Sequence, residues 1–82
     1  MAAHKILVDV MLKPEILDPQ GQAVANALPN LGYAPPLELR IGRHVELTLE
    51  APDADTALEQ ATKIADTLLS NPVIEDYAVR LA

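Results

Sequence analysis

Hydrophobic residues in this chain recur at two spacings, and those spacings alternate along its 82 residues. Period two is typical of half-buried strands, and spacings of three and four are typical of amphipathic helices. Period two comes first, in the stretch HKILVDVMLK, and helical spacing follows it. Two further stretches of period two, a second helical stretch and a last stretch of period two complete the chain. The pattern predicts the order β-α-β-β-α-β.

The boundaries of the first predicted strand and helix are marked by proline, aspartate and glycine. Pro14 ends the strand because proline cannot donate to a strand ladder. Asp18 is predicted to cap the helix that follows, since Pro19 suits the first helical position. Gly32 is predicted to end this helix, and Pro29 to loosen its last turn.

The rest of the chain predicts three strands and one helix. Residues 37–41 and 45–50 alternate as two strands, joined by a tight turn at Gly42-Arg43. Asp53 is predicted to cap the second helix, which ends before Asn71-Pro72. Its predicted apolar stripe consists of Ala57, Ala61, Ile64, Ala65 and Leu68. The C-terminal residues 73–82 form the last predicted strand, with Tyr77, Val79 and Leu81 on one face.

This order of elements predicts a ferredoxin-like fold of the α+β class. We expect a two-layer sandwich, in which an antiparallel four-stranded sheet carries both helices on one face. Because the chain is short and has no linker, residues 1–82 are expected to form a single domain.

The predicted sheet has an open face, which suggests self-association. Two helices cover one face only, so Leu7, Met11 and Thr48 lie on the other as a candidate self-association face. The alternative is that these are scattered surface residues, which need no explanation. Because the chain is small and has no cysteine for disulfides, we expect a homodimer or a dimer of dimers.

Charge and composition exclude several classes of function. The formal net charge is −6 and aromatic residues make up only 2% of the chain, both of which argue against nucleic-acid binding. The apolar run near the N-terminus is interrupted by Asp9, is too short to span a membrane and lacks a signal-peptide cleavage pattern. A cytoplasmic location is therefore expected.

Residues capable of chemistry are few. The chain has no cysteine, its only serine is Ser70 near a helix end, and its glycines match no phosphate-binding loop. His4 and His44 fall on opposite faces of the sheet, so no metal site is expected. Arg40 and Arg43 could bind a carboxylate or phosphate of a partner, although a solvated pair is the plainer interpretation. No catalytic, cofactor-binding or metal-binding residue is predicted.

Four stretches together are specific to one family. LKPEILDPQG (residues 12–21), ALPNLGY (27–33), LELRIGRHVEL (37–47) and NPVIEDYAV (71–79) occur in this order. From about Lys5 to Leu81 the chain resembles the PurS family, the small subunits of phosphoribosylformylglycinamidine synthase. Glu15 stands where that family usually has glycine. Pro29 and Pro35-Pro36 also depart from its pattern.

The resemblance implies a non-catalytic bridging subunit in purine biosynthesis. Dimers of such a subunit connect a large synthetase subunit (PurL-type) to a glutaminase subunit (PurQ-type). The complete enzyme converts formylglycinamide ribonucleotide to formylglycinamidine ribonucleotide, using glutamine and ATP. ATP and magnesium are expected in the large subunit, and no cofactor is expected in this chain. Ile16 and Leu17 then become candidate partner contacts, with packing under the end of the sheet as the alternative.

A regulatory domain of the same fold is the rival hypothesis. Such a domain would bind a small molecule, such as an amino acid, at a dimer interface. It would form a saturable complex with that molecule and would need no protein partner. Calorimetry against amino acids and nucleotides would distinguish the two.

Overall fold

The structure, a computed structural model, describes residues 1–82. Its elements in chain order are strand β1 (Ala2–Leu12), helix α1 (Pro19–Ala27), a 3₁₀ turn (Leu28–Leu31), strand β2 (Arg43–Ala51), helix α2 (Ala54–Ile64) with a π-helical turn after it (Ala65–Leu69), and strand β3 (Glu75–Leu81). The 3₁₀ turn contains Pro29 and confirms that the first helix loosens there. Gly32 follows this turn with a φ of 91°, in the left-handed region that glycine tolerates.

The sheet has three antiparallel strands in the order β2-β1-β3. Val8 in the central strand lies opposite Val45 of β2 and Val79 of β3. Strand β1 is therefore paired on both sides, whereas β2 and β3 each keep one free edge.

The hydrophobic core lies between the sheet and α2. Ile6, Val8 and Val10 of the central strand are fully buried. They pack with Ala57, Ala61 and Ala65, which form one stripe along α2 and its π-helical turn. The alanine side chains are small, so the helix axis can approach the sheet closely. The face of the sheet that α2 covers is called the covered face below, and the opposite face is the open face.

The prediction of a four-stranded sheet is wrong, because residues 37–41 form no strand. No turn occurs at Gly42-Arg43, and the chain continues into β2 without reversing. The side-chain pattern gives the reason. A two-residue turn at Gly42-Arg43 would place Leu39 opposite Glu46 and move the leucines to the open face.

The expectation that both helices pack on the sheet is also wrong. Only α2 packs extensively on the strands, and α1 forms no comparable interface with any of them. Gly21 is the single buried residue of α1. This helix therefore lies outside the hydrophobic core.

The predicted apolar stripe of the second helix is correct for Ala57, Ala61 and Ala65, whereas Ile64 is only half-buried and does not join the core. Leu68 is 78% exposed, and Leu69 packs against the core instead. The Ser70 N–H donates to the Ala65 carbonyl oxygen five residues earlier, at 2.9 Å. This wider π-helical turn shifts the phase of the helix by one residue.

The molecule is elongated. Its radius of gyration is 16.3 Å, and its principal extents are 52 × 26 × 16 Å. A compact domain of this length has a radius of gyration of about 12 Å. Residues 13–42, which connect β1 to β2, lie outside the sheet.

No helix of the structure has the length and hydrophobicity needed to cross a bilayer.

Candidate functional site

Residues 19–41 form a projecting segment, which we call the arm. It contains α1, the 3₁₀ turn and the extended stretch that leads to β2. Three of its large apolar side chains are mostly exposed: Leu31 at 72%, Tyr33 at 65% and Leu37 at 107%. An aliphatic segment left in water at this level is typical of an interaction surface.

Asp18 fixes both ends of the arm. It is the N-cap of α1, and its Oδ1 accepts a hydrogen bond from the Gly21 N–H at 3.0 Å. Its Oδ2 accepts from the Ile41 N–H at 2.8 Å, so one carboxylate connects the start of the arm to its end. The hydrogen bonds from Gly21 and then Ile41 lower the pKa of Asp18, because they favour the charged form. This side chain is buried, and both of its oxygens accept from backbone N–H groups.

Arg40 holds the connection between β1 and α1. Its Nη2 lies 3.1 Å from the Lys13 carbonyl oxygen and 3.0 Å from the Ile16 carbonyl oxygen. These contacts hold the backbone of this connection in place, where the Lys13 carbonyl oxygen also accepts from the Ile16 N–H at 2.9 Å. The guanidinium group, predicted as a candidate partner contact, is thus occupied within its own chain.

The two ends of the arm meet at its base, where Asp18 contacts Gly21 and Ile41. Gly21 has no side chain at a point where one would not fit. A Cβ at this position would lie 2.9 Å from the Leu39 carbonyl oxygen and would overlap the Asp18 carboxylate. The absence of a side chain lets the two ends of the arm approach each other.

Arg43, at the start of β2, connects this strand to the π-helical turn after α2 and to β3. Its Nη2 donates to the Leu69 carbonyl oxygen at 2.7 Å and to the Glu75 carboxylate at 3.2 Å. A cavity of about 350 Å³ opens beside it, with Val10, Asp18 and Ile41 in its wall. Because its charged groups already bind one another or the backbone, this cavity offers no free charge to a small ligand.

The open face carries a charged network around Asp9. This carboxylate accepts from His44 Nδ1 at 2.6 Å and also binds the Arg80 guanidinium. The pKa of Asp9 is lowered, mainly by the hydrogen bond from His44 and then by the hydrogen bond from Arg80. A second ion pair joins Lys5 Nζ to the Glu46 carboxylate at 3.6 Å.

The predicted self-association residues lie within this charged face. Leu7 and Met11 are half-buried and Thr48 is exposed. Sequence reasoning missed the arm, although a signal was present: residues 37–49 keep one phase of alternation straight through Gly42, as a continuous strand would.

The other residues singled out in the sequence lie at the base of the arm, at the start of α2 and on β1. Ile16 is half-buried at the base of the arm, and Leu17 is 68% exposed beside it. Asp53 caps α2 by accepting from the Thr56 N–H at 2.7 Å, and this bond lowers the pKa of its carboxyl. His4 lies on the covered face, where its Nε2 is buried without a hydrogen-bond partner.

No group in this geometry is arranged for nucleophilic catalysis. The Ser70 hydroxyl donates to the Ala65 carbonyl oxygen at 2.9 Å and has no adjacent base. No cluster of three His, Asp or Glu side chains could hold a metal ion. What the chain offers is surface: an exposed aliphatic arm and the free edges of two strands.

Comparison with known sequences gives one family. The family model described as PurS, phosphoribosylformylglycinamidine (FGAM) synthase, matches residues 5–82. The chain is 49% identical over 72 residues to the phosphoribosylformylglycinamidine synthase subunit PurS of Synechocystis, covering 88% of this chain and 72% of that protein. It is 43% identical over 74 residues to the same subunit of Bacillus subtilis, covering 90% and 87% of the two chains.

Solved structures give the same result. A chain in the structure of PurLQS from Thermotoga maritima superposes with a TM-score of 0.91 at 33% identity, covering 100% of both chains. The Bacillus subtilis PurS structure in its C2 crystal form superposes with a TM-score of 0.83 at 40% identity, covering 96% of this chain and 98% of that one. The superposition thus includes the arm as well as the sheet and α2.

Proposed function

This chain belongs to the PurS family of phosphoribosylformylglycinamidine synthase subunits, and we propose that it bridges the other subunits without taking part in the chemistry. Its partners are a PurL-type synthetase subunit and a PurQ-type glutaminase subunit, and ATP and magnesium bind in the former. The three chains act together in the cytoplasm on formylglycinamide ribonucleotide, glutamine and ATP. The observation that carries this proposal is the full-length superposition on a chain of the Thermotoga maritima PurLQS structure.

The functional groups of this chain support a role in positioning its partners rather than in the chemistry. Glutamine hydrolysis requires an activated nucleophile, and phosphoryl transfer requires groups that bind phosphates and a metal ion. In this chain the charged side chains near the base of the arm are bound to backbone groups or to each other, as described for Asp18, Arg40 and Arg43. None of them is free for either half-reaction.

A bridging role gives these structural features a purpose. Ammonia released by a glutaminase is lost if it reaches solvent or is protonated before it meets the synthetase. Two active sites held in fixed register limit this loss, because a positioned reactant gains a high effective concentration. The exposed arm and the free strand edges supply the contact area that such a connector needs.

The assembly reaction tests this proposal. Purified synthetase and glutaminase subunits are mixed with and without this chain, in the presence of glutamine and ATP, and are analysed by sedimentation velocity. We expect a complex containing all three chains only when this chain is present. A stable complex of the two large partners that forms equally well without it would contradict the proposal.

A further inference from the structure

Two connections of the chain meet at one end of the sheet. Residues 13–18 lead from β1 to α1, and residues 70–74 lead from the π-helical turn to β3. The Lys13 N–H donates to the Ile74 carbonyl oxygen at 2.8 Å, and Lys13 Nζ pairs with the Asp76 carboxylate at 2.7 Å. The two connections therefore lie side by side, and we call them the loop pair.

Hydrogen bonds hold each connection of the loop pair in one course. In the first connection, the Ile16 N–H donates to the Lys13 carbonyl oxygen at 2.9 Å, and Arg40 binds the carbonyl oxygens of both residues. In the second connection, the Asn71 side chain accepts from the Val73 N–H at 3.2 Å. A surface that is ordered before it binds loses little conformational entropy on binding, which favours affinity.

The loop pair exposes large apolar side chains although its backbone is ordered. Leu17 is 68% exposed and Val73 is 80% exposed. Leu17 directly precedes the N-cap of α1, a position from which an apolar residue often packs against the fourth residue of the helix. That fourth residue is Gln22, which offers no apolar partner. Apolar side chains held in water in this way are typical of a docking surface.

The free charge at the loop pair is acidic. The ammonium group of Lys13 is paired with Asp76, and the guanidinium group of Arg40 is bound to backbone carbonyl oxygens. Glu15, by contrast, is exposed and forms no ion pair within the chain. A surface that complements the loop pair therefore combines an apolar centre with a lysine or arginine at its edge.

We propose that the loop pair is the surface through which this chain docks on the synthetase subunit. ATP and formylglycinamide ribonucleotide both carry phosphates, and sites for phosphates are built from lysine and arginine. Of the two partners, the synthetase is therefore the one whose function demands basic side chains, and the acidic edge of the loop pair complements them. This inference deepens the proposed function, on which it rests, by assigning one partner to one surface.

A charge placed at the apolar centre tests the docking surface. Val73→Asp should raise the Kd for the purified synthetase subunit by roughly tenfold or more, because the carboxylate would be buried without a partner. Leu17→Asp should act in the same direction. Gln60→Glu, on an exposed residue of α2, adds the same charge and should leave the Kd unchanged. Calorimetric titration measures binding, and circular dichroism verifies that each variant folds.

Reversal of the acidic edge gives a second, independent test. Glu15→Lys should raise the Kd for the synthetase by about three- to tenfold, and this loss should shrink at high salt because the edge is exposed to solvent. Glu59→Lys, on an exposed residue of α2, changes the net charge by the same amount and should have no effect. Equal effects of the two substitutions would show that only net charge matters and would contradict a contact at Glu15.

The outcomes separate this inference from the proposed function. If the native chain binds the synthetase and Val73→Asp and Leu17→Asp bind equally well, the loop pair is not the docking surface, although the bridging role stands. Weaker binding to the glutaminase instead of the synthetase would also overturn the inference, because the surface would face the other partner. Sedimentation velocity of each variant alone supplies the last criterion. Altered self-association would assign the loop pair to a contact with a second copy and would overturn the inference as well.

Discussion

Asp18 is the residue on which the base of the arm depends. It accepts two backbone hydrogen bonds, one from Gly21 inside α1 and one from Ile41 at the far end of the arm. Asp53 is a useful comparison, because it caps α2 by accepting from the Thr56 N–H and makes no bond to a distant segment. The sequence predicts both caps from their positions before helices. It does not predict the bond to Ile41, because that contact joins residues 23 apart.

Substitutions of these two aspartates should differ in a graded way. Asp53→Ala removes a cap and should lower the melting temperature by roughly 4–8 °C. Asp18→Ala removes a cap and also the bond to Ile41, so it should lower the melting temperature further. Asp53→Asn keeps a cap oxygen and should have little effect. Asp18→Asn has one acceptor oxygen for two donors and should fall between the two. Thermal unfolding monitored by circular dichroism measures this series, and equal melting temperatures for Asp18→Asn and the native chain would show that the bond to Ile41 contributes nothing.

Acid should destabilise the protein through the same carboxylates. The pKa values of Asp9, Asp18 and Asp53 all lie below their ordinary value of 3.8. A lowered folded-state pKa stabilises the fold above the unfolded-state value, and this stability is lost as the pH falls through the folded-state pKa. We therefore expect constant contributions from these groups near neutral pH and a loss beginning near about pH 4. Urea unfolding from pH 2 to 7 tests this, and Asp18→Asn should show a shallower decline.

At the scale of elements, the spacing of apolar side chains predicts whether a stretch is a strand or a helix better than it predicts which strand a stretch pairs with. The strands β1, β2 and β3 and the helix α2 follow from alternation, helical spacing and cap residues. The course of residues 37–41 does not, because an alternating stretch is compatible with pairing in the same chain or in another. The π-helical turn after α2 could not be predicted either. Its sequence, ADTLL, has no feature that indicates the wider turn, which moves Leu68 out of the core.

Gly42 shows how one position decides the course of this stretch. Its φ is not in the left-handed region, yet a Cβ there would overlap the Val10 carbonyl oxygen and the Met11 thioether. Because the Val10 oxygen is backbone, Gly42→Ala should destabilise the fold by about 1–3 kcal/mol. Gly32 differs, since its surroundings are open and its φ is positive. Gly32→Asn should be nearly neutral, because asparagine tolerates that conformation. Urea denaturation compares the two, and equal effects would refute the steric explanation.

At the scale of the whole molecule, one chain looks incomplete. Only 9 of its 82 residues are buried, and its radius of gyration of 16.3 Å exceeds that of a compact domain. The family membership follows from the sequence because its motifs are local. The shape does not follow, because an alternating stretch such as residues 37–41 does not itself determine whether it pairs within the sheet.

The dependence of synthesis on the nitrogen source tests the central claim, which is that this chain acts by positioning other active sites. Formylglycinamidine ribonucleotide formation is measured with the synthetase and glutaminase subunits, with and without this chain, using either glutamine or high ammonia. Omitting the chain should abolish or greatly reduce synthesis from glutamine, while synthesis from ammonia should survive much better. Equal loss with both nitrogen sources would contradict the claim, because it would assign the chain a direct role in the synthetase site.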